Sequence, residues 1–137
     1  LGYFLKNLGF KKVITIGIAA YCLRYAIFGT EAMPVWIIVL SQAFHGFCYA
    51  FFFAAAYIYV DKIADEDVRH SAQTVFGIII LGGGPVIGGW LSGYLQSVNT
   101  INNVFDFSTF WYTLSLIGLI TTGLFFMFFK EELLERE

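Results

Sequence analysis

Gln42, His45 and Tyr49 are the side chains whose types and spacing point most directly to chemistry. They recur at intervals of three and four, so on a helix they share one face. They lie in the middle of VWIIVLSQAFHGFCYAFFFAAAYIYV, twenty-six residues from Val35 to Val60 without one permanent charge. As a helix this stretch is about 39 Å long, against a hydrocarbon core of about 30 Å, so it spans a bilayer with tilt. Lipid offers polar groups no partner, and a polar stripe at that depth turns into a bundle or a water-filled cavity. The plain role for His45 is packing, with its ring bonded to a neighbouring helix. The sharper role is proton titration or substrate binding, because histidine changes charge near physiological pH. Gln42 and Tyr49 divide the same way, and three polar groups on one stripe favour the wall of a transport pathway.

Phe44, Phe47, Phe51, Phe52 and Phe53 surround the stripe. Most such rings pack or face lipid, but one or two could stack on a planar ligand such as a nucleobase or sugar ring. Arg24 is the one permanent charge inside an apolar run. Its simplest role is to snorkel to the outer boundary, five residues away. The other is a buried pair with a carboxylate, which none of the apolar runs supplies. A third feature is GIIILGGGPVIGGWLSGYL, where Gly84 and Gly88, then Gly89 and Gly93, have the spacing that lets two helices approach closely. Gly82, Gly83 and Gly84 precede Pro85, which lacks a donor and crowds the carbonyl four residues back, so a bend is expected there. A bend serves a gating element and a static kink equally well.

These residues need membrane helices to hold them, and the composition supplies them. Hydrophobic residues make up 58% of the 137 and charged ones 13%, which excludes an ordinary soluble domain. The net charge of −2 and thinly scattered basic residues exclude a nucleic-acid surface. Cys22 and Cys48 lie in apolar runs without metal-ligand spacing, so neither a disulfide nor a zinc site is implied. The glycine run has no preceding strand and no following Lys-Ser/Thr, so it is not a phosphate cradle. No catalytic set is evident, and neither an enzyme nor a cofactor is expected.

The expected architecture is all-α, a polytopic helix bundle with spans at about 13–29, 35–60, 72–97 and 107–129. Residues 8–12 form a short basic loop before the first span, GTEAMP and NTINNVFD are turns, and DKIADEDVRHS reads as a solvated loop. The chain opens on LGYFL without Met, which reads as the end of a helix begun upstream, so a fragment is expected. Lys6, Lys11, Lys12, Lys62, Arg69, Lys130 and Arg136 all fall on one side of the four spans. The positive-inside rule makes that side, and both ends, cytoplasmic.

HGFCYAFFFAAAYIYVDK from His45 to Lys62, RHSAQ from Arg69 to Gln73 and the glycine-rich span together resemble the C-terminal part of nucleoside-proton symporters of the major facilitator superfamily. GYFLKNLGFKK also resembles the second copy of the superfamily's cytoplasmic loop motif, with matches at Gly2, Gly9, Lys11 and Lys12. Lys6 departs from the pattern, which has Asp there and uses it in a charge lock. The resemblance implies that the four spans are helices nine to twelve of a twelve-helix transporter in the bacterial inner membrane. It places helix ten on the central cavity and helix eleven between the halves. The remaining N-terminal helices of the same chain and the surrounding lipid would be its neighbours. In the family an aspartate follows the aromatic residue corresponding to Tyr49, and here that position is Ala50. The implied function is secondary active transport of a small polar solute by alternating access. Nucleoside uptake coupled to protons is the leading form. A sugar or drug transporter of the same superfamily and a free-standing four-helix anchor or subunit are the alternatives.

Overall fold

A computed structural model describes residues 1–31 and 33–131, so Arg136, counted above among the cytoplasmic cations, lies outside the described residues. Four helices are long and apolar enough to cross a membrane: α1 Gly2–Gly29, α2 Val35–Ile63, α3 Arg69–Val98 and α4 Phe107–Phe128. Two short strands, β1 Thr100–Ile101 and β2 Val104–Phe105, pair antiparallel between α3 and α4. The all-helical expectation holds for the spans. The polar turn expected at NTINNVFD is tighter than foreseen, because Asn102 and Asn103 both take positive φ, 52° and 63°, as a two-residue hairpin turn requires.

The chain forms two compact units. The first comprises Leu1–Ala56 and Phe107–Glu131, that is α1, most of α2 and all of α4. Helix α1 is two helical stretches joined at Gly9, whose φ of 78° and ψ of 167° are open to glycine and almost nothing else. From Phe10 onward α1 runs against α4, and the bonds between them come from small polar side chains. Ser115 donates to the carbonyl of Cys22 at 2.8 Å, Ser108 donates to the carbonyl of Gly29, and the Thr30 and Tyr112 hydroxyls meet at 3.0 Å. Where hydrocarbon surrounds helices, such short hydroxyl bonds and close backbone contact replace the hydrophobic drive of water.

Helix α2 departs from a regular α-helix twice. Around Gln42 it tightens, with Gln42 N donating to Val39 O at 3.1 Å and His45 N to Gln42 O at 2.9 Å. From Tyr49 to Ala54 it widens into a π-helical turn. The widened turn is where α1 comes closest. A Cβ on Gly17 would stand 2.8 Å from both the Phe51 carbonyl carbon and the Phe52 nitrogen. Val13, Cys48 and Ala55, all fully buried, fill the same contact with small side chains.

The second unit is described over Tyr57–Asp106. Tyr57 packs edge-on against Phe76, and Gly77 leaves room for the Tyr57 hydroxyl. The segment read as a solvated loop is partly organised. Asp61 accepts from Gln73 Nε2 at 3.0 Å and lies 3.9 Å from Arg69 Nε, so the acidic residue of YIYVDK and two residues of RHSAQ clamp the turn between α2 and α3. Helix α3 has a π-helical turn over Ile78–Gly83, directly before Pro85. A wider turn relieves the crowding a proline ring causes against the carbonyl one turn back. A Cβ on Gly82, Gly83, Gly84, Gly88, Gly89 or Gly93 would meet nothing within 4 Å beyond the adjacent backbone of its own helix. The close helix approach expected of them has no partner among the described residues.

Candidate functional site

The site lies in the first unit and starts from the tight turn of α2. When a helix bonds i to i−3, side chains three apart eclipse one another, so Gln42 and His45 project together. Opposite them, α1 presents Tyr21, Arg24 and Phe28, which repeat the same three-and-four spacing.

Arg24 joins the two rows. Its Nη2 donates to Gln42 Oε1 at 2.8 Å, and its Nη1 donates to His45 Nδ1 at 3.0 Å. The direction of the second bond follows from chemistry, since a guanidinium has no acceptor and does not deprotonate in proteins. His45 therefore accepts at Nδ1 and carries its hydrogen on Nε2. A proton on Nδ1 and the bond from Arg24 exclude each other. The guanidinium also lies 5.1 Å from the centre of the Phe28 ring, and Tyr21 meets the imidazole edge-on at 6.3 Å. Arg24 thus has the Gln42 and His45 side chains as partners, where the sequence offered snorkelling or a carboxylate pair, and bonds of this kind lower the cost of keeping a charge inside a span.

Next to this cluster is a pocket of about 230 Å³ lined by Phe28, Ile38, Gln42, Phe107 and Trp111. Its aromatic wall is fixed by a chain of rings, in which Trp111 of α4 contacts Tyr25 at 5.5 Å, Phe28 at 5.0 Å and Phe107 at 5.8 Å. The pocket is mostly apolar, with three aromatic rings in its lining and one amide at its edge. Two buried nitrogens in these residues, Arg24 Nε and Trp111 Nε1, have no hydrogen-bond acceptor among the described residues.

Of the residues the sequence singled out, Gln42 and His45 are brought together and exposed. Tyr49 is 58% exposed and lies tilted against Phe53 at 5.4 Å, taking no part in the Arg24 bonds. Phe51 is buried and stacked on Phe47, so it packs and does not line the pocket. Phe44 and Phe47 border a shallow apolar groove with Ala43. Arg24, Phe28 and Trp111 are the members that sequence reasoning did not assign. The repeat of Tyr21, Arg24 and Phe28 at the spacing of Gln42, His45 and Tyr49 was a usable signal.

The loop motif has a separate geometry. Gly9 breaks α1, and the backbone N–H groups of Phe10 and Lys11 donate to the Glu131 carboxylate at 2.8 and 3.1 Å. Glu131 follows α4, so a carboxylate reaches this loop although position 6 is Lys. Lys11 lays its ammonium 4.8 Å from the Phe126 ring, Lys12 is exposed, and Gly2 has no close neighbour. Among the described residues no group of three or more His, Cys, Asp or Glu side chains is placed to hold a metal.

Known proteins match this chain in sequence and in fold. The family described as "Nucleoside H+ symporter" matches residues 1–133. The nucleoside permease NupG of Escherichia coli K12 is 30% identical over 131 residues, covering 93% of this chain and 31% of the permease. The xanthosine permease of the same organism has the same identity and coverage. A crystal structure of the nucleoside transporter NupG superposes with a TM-score of 0.83 over 94% of this chain and 33% of that one, at 29% identity. A second, of a NupG mutant, gives 0.86 over 95% and 33%, at 31% identity. The chain thus spans about a third of the length of the relatives it matches.

Proposed function

The chain belongs to the nucleoside H+ symporter family, a family of membrane transporters and not of enzymes, and from that premise we propose that it forms helices nine to twelve of a transporter that takes up nucleosides. The Arg24, Gln42 and His45 cluster beside the aromatic pocket is the observation that carries this reading. A nucleoside has a flat base for the Phe28, Phe107 and Trp111 wall and polar edges for the amide and imidazole. Tyr49 adds a second aromatic platform on the same helix. The helices upstream close the other side of the cavity, and the glycine face of α3 meets them during alternating access. Both ends lie in the cytoplasm of a bacterium and the spans lie in its inner membrane. The loop and tail cations on one side support that orientation.

The test uses the full-length protein in cells lacking their own nucleoside uptake. Labelled uridine should accumulate, and a protonophore should abolish accumulation if protons drive it. Accumulation that survives the protonophore removes proton coupling. No uptake of any nucleoside would overturn the reading.

A further inference from the structure

The hydrogen-bond polarity of the cluster is fixed by one residue. Arg24 can only donate, so the Gln42 amide must turn its oxygen toward it and its NH2 group away. The same constraint holds His45 Nδ1 as an acceptor and leaves Nε2–H free to donate. Both polar groups at the exposed edge of the site therefore offer hydrogens. Among the described residues no carboxylate bonds to the cluster, and the neighbouring Arg24 Nε and Trp111 Nε1 are two further donors without an acceptor. Aromatic faces complete the pocket.

We infer that Arg24 is a positioning residue that turns the Gln42 and His45 donors toward the solute, so that the site prefers nucleosides with an oxo group to those with an amino group at the exocyclic position these donors read. The inference rests on the nucleoside reading and deepens it. Exchange of oxo for amino replaces an acceptor by a donor at the exocyclic position and turns the adjacent ring N–H into an acceptor. The preference therefore holds where Gln42 Nε2 or His45 Nε2 reads the exocyclic position, which the amino group would meet hydrogen against hydrogen. One hydrogen bond lost in this way corresponds to about a tenfold change in affinity. Without Arg24 the Gln42 amide is free to rotate and present either edge, so the preference disappears.

The experiment measures competition by four nucleosides against labelled uridine uptake in the full-length transporter. Uridine should compete about tenfold better than cytidine, and inosine about tenfold better than adenosine. In Arg24→Leu both ratios should fall toward one. A merely structural role for Arg24 would lower uptake of all four and leave the ratios standing, which would overturn the inference. Should Arg24→Leu fail to reach the membrane, Gln42→Glu decides: its carboxylate pairs with Arg24 and only accepts, so the ratios should shift toward the amino-bearing members. Unchanged ratios in Gln42→Glu would overturn the inference. Equal competition by all four in the unmodified protein would overturn it while leaving nucleoside transport intact. Transport of none of the four would overturn both.

Discussion

Gly17 of α1 faces the backbone of Phe51 so closely that a methyl group there would stand 2.8 Å from the Phe51 carbonyl carbon and 3.1 Å from its oxygen. The neighbour is backbone, held in the π-helical turn of α2, and cannot swing aside as a side chain would. This contact sets the height of α1 against α2, and with it which residues of the two helices come level. Arg24 lies two turns further along α1, and its reach to Gln42 and His45 depends on that height.

Gly17→Ala should therefore destabilise the protein by about 1–3 kcal/mol, the usual cost of overpacking. Gly123→Ala serves as the control, because nothing lies within 4 Å of a Cβ there. Thermal unfolding of the detergent-solubilised full-length protein checks the pair. Equal melting temperatures would mean that the contact with Phe51 does not constrain the helices.

Gly9 and Glu131 form a second constraint, near the N-terminus of α1. The Glu131 carboxylate satisfies two donors that a helix start leaves orphaned, and Gly9 supplies the backbone angle that exposes them. Loss of such a cap costs about 0.5–2 kcal/mol, so Glu131→Ala should lower stability by that amount. Gly9→Ala should do at least as much, since its Cβ would also meet Glu131 Oε2 at 2.8 Å. Combining the two should cost less than their sum, because both break the same bonds. Strict additivity in unfolding measurements would show the cap and the break to be independent.

Gly83 carries the opposite expectation. Space around it is open, so Gly83→Leu should leave insertion and melting of the four-helix part unchanged. Uptake by the full-length protein should nevertheless fall several-fold, because a leucine keeps any opposing helix from approaching. Normal uptake would mean that the glycine face of α3 is not a moving contact.

The four apolar runs and the Gln42 and His45 stripe were legible because they depend on local sequence: unbroken hydrophobicity, and a period that repeats within one helix. The wide and tight turns of α2 were not, since neither contains a proline or glycine and the wide one lies where Gly17 of α1 meets the backbone of Phe51. Arg24 was visible as a charge inside a span, but its partners were hidden. They lie 18 and 21 residues away on another helix, and the register between helices follows from Gly17 and the π-turn. Glu131 was hidden for a stronger reason, being 121 residues from the Phe10 amide it accepts from. The glycines of α3 were legible as a spacing for close helix approach, and no helix among the described residues makes that approach.

Substrate protection of a cysteine placed on the stripe tests the central claim, that solute passes along Gln42 and His45, most directly. Cys22 and Cys48 are both buried and should contribute little background. In the full-length transporter Gln42→Cys should react with a membrane-impermeant thiol reagent, and uridine should slow that reaction at the concentrations that saturate uptake. A cysteine at position 42 that the reagent never reaches, or that it reaches at the same rate with uridine present, would contradict the account.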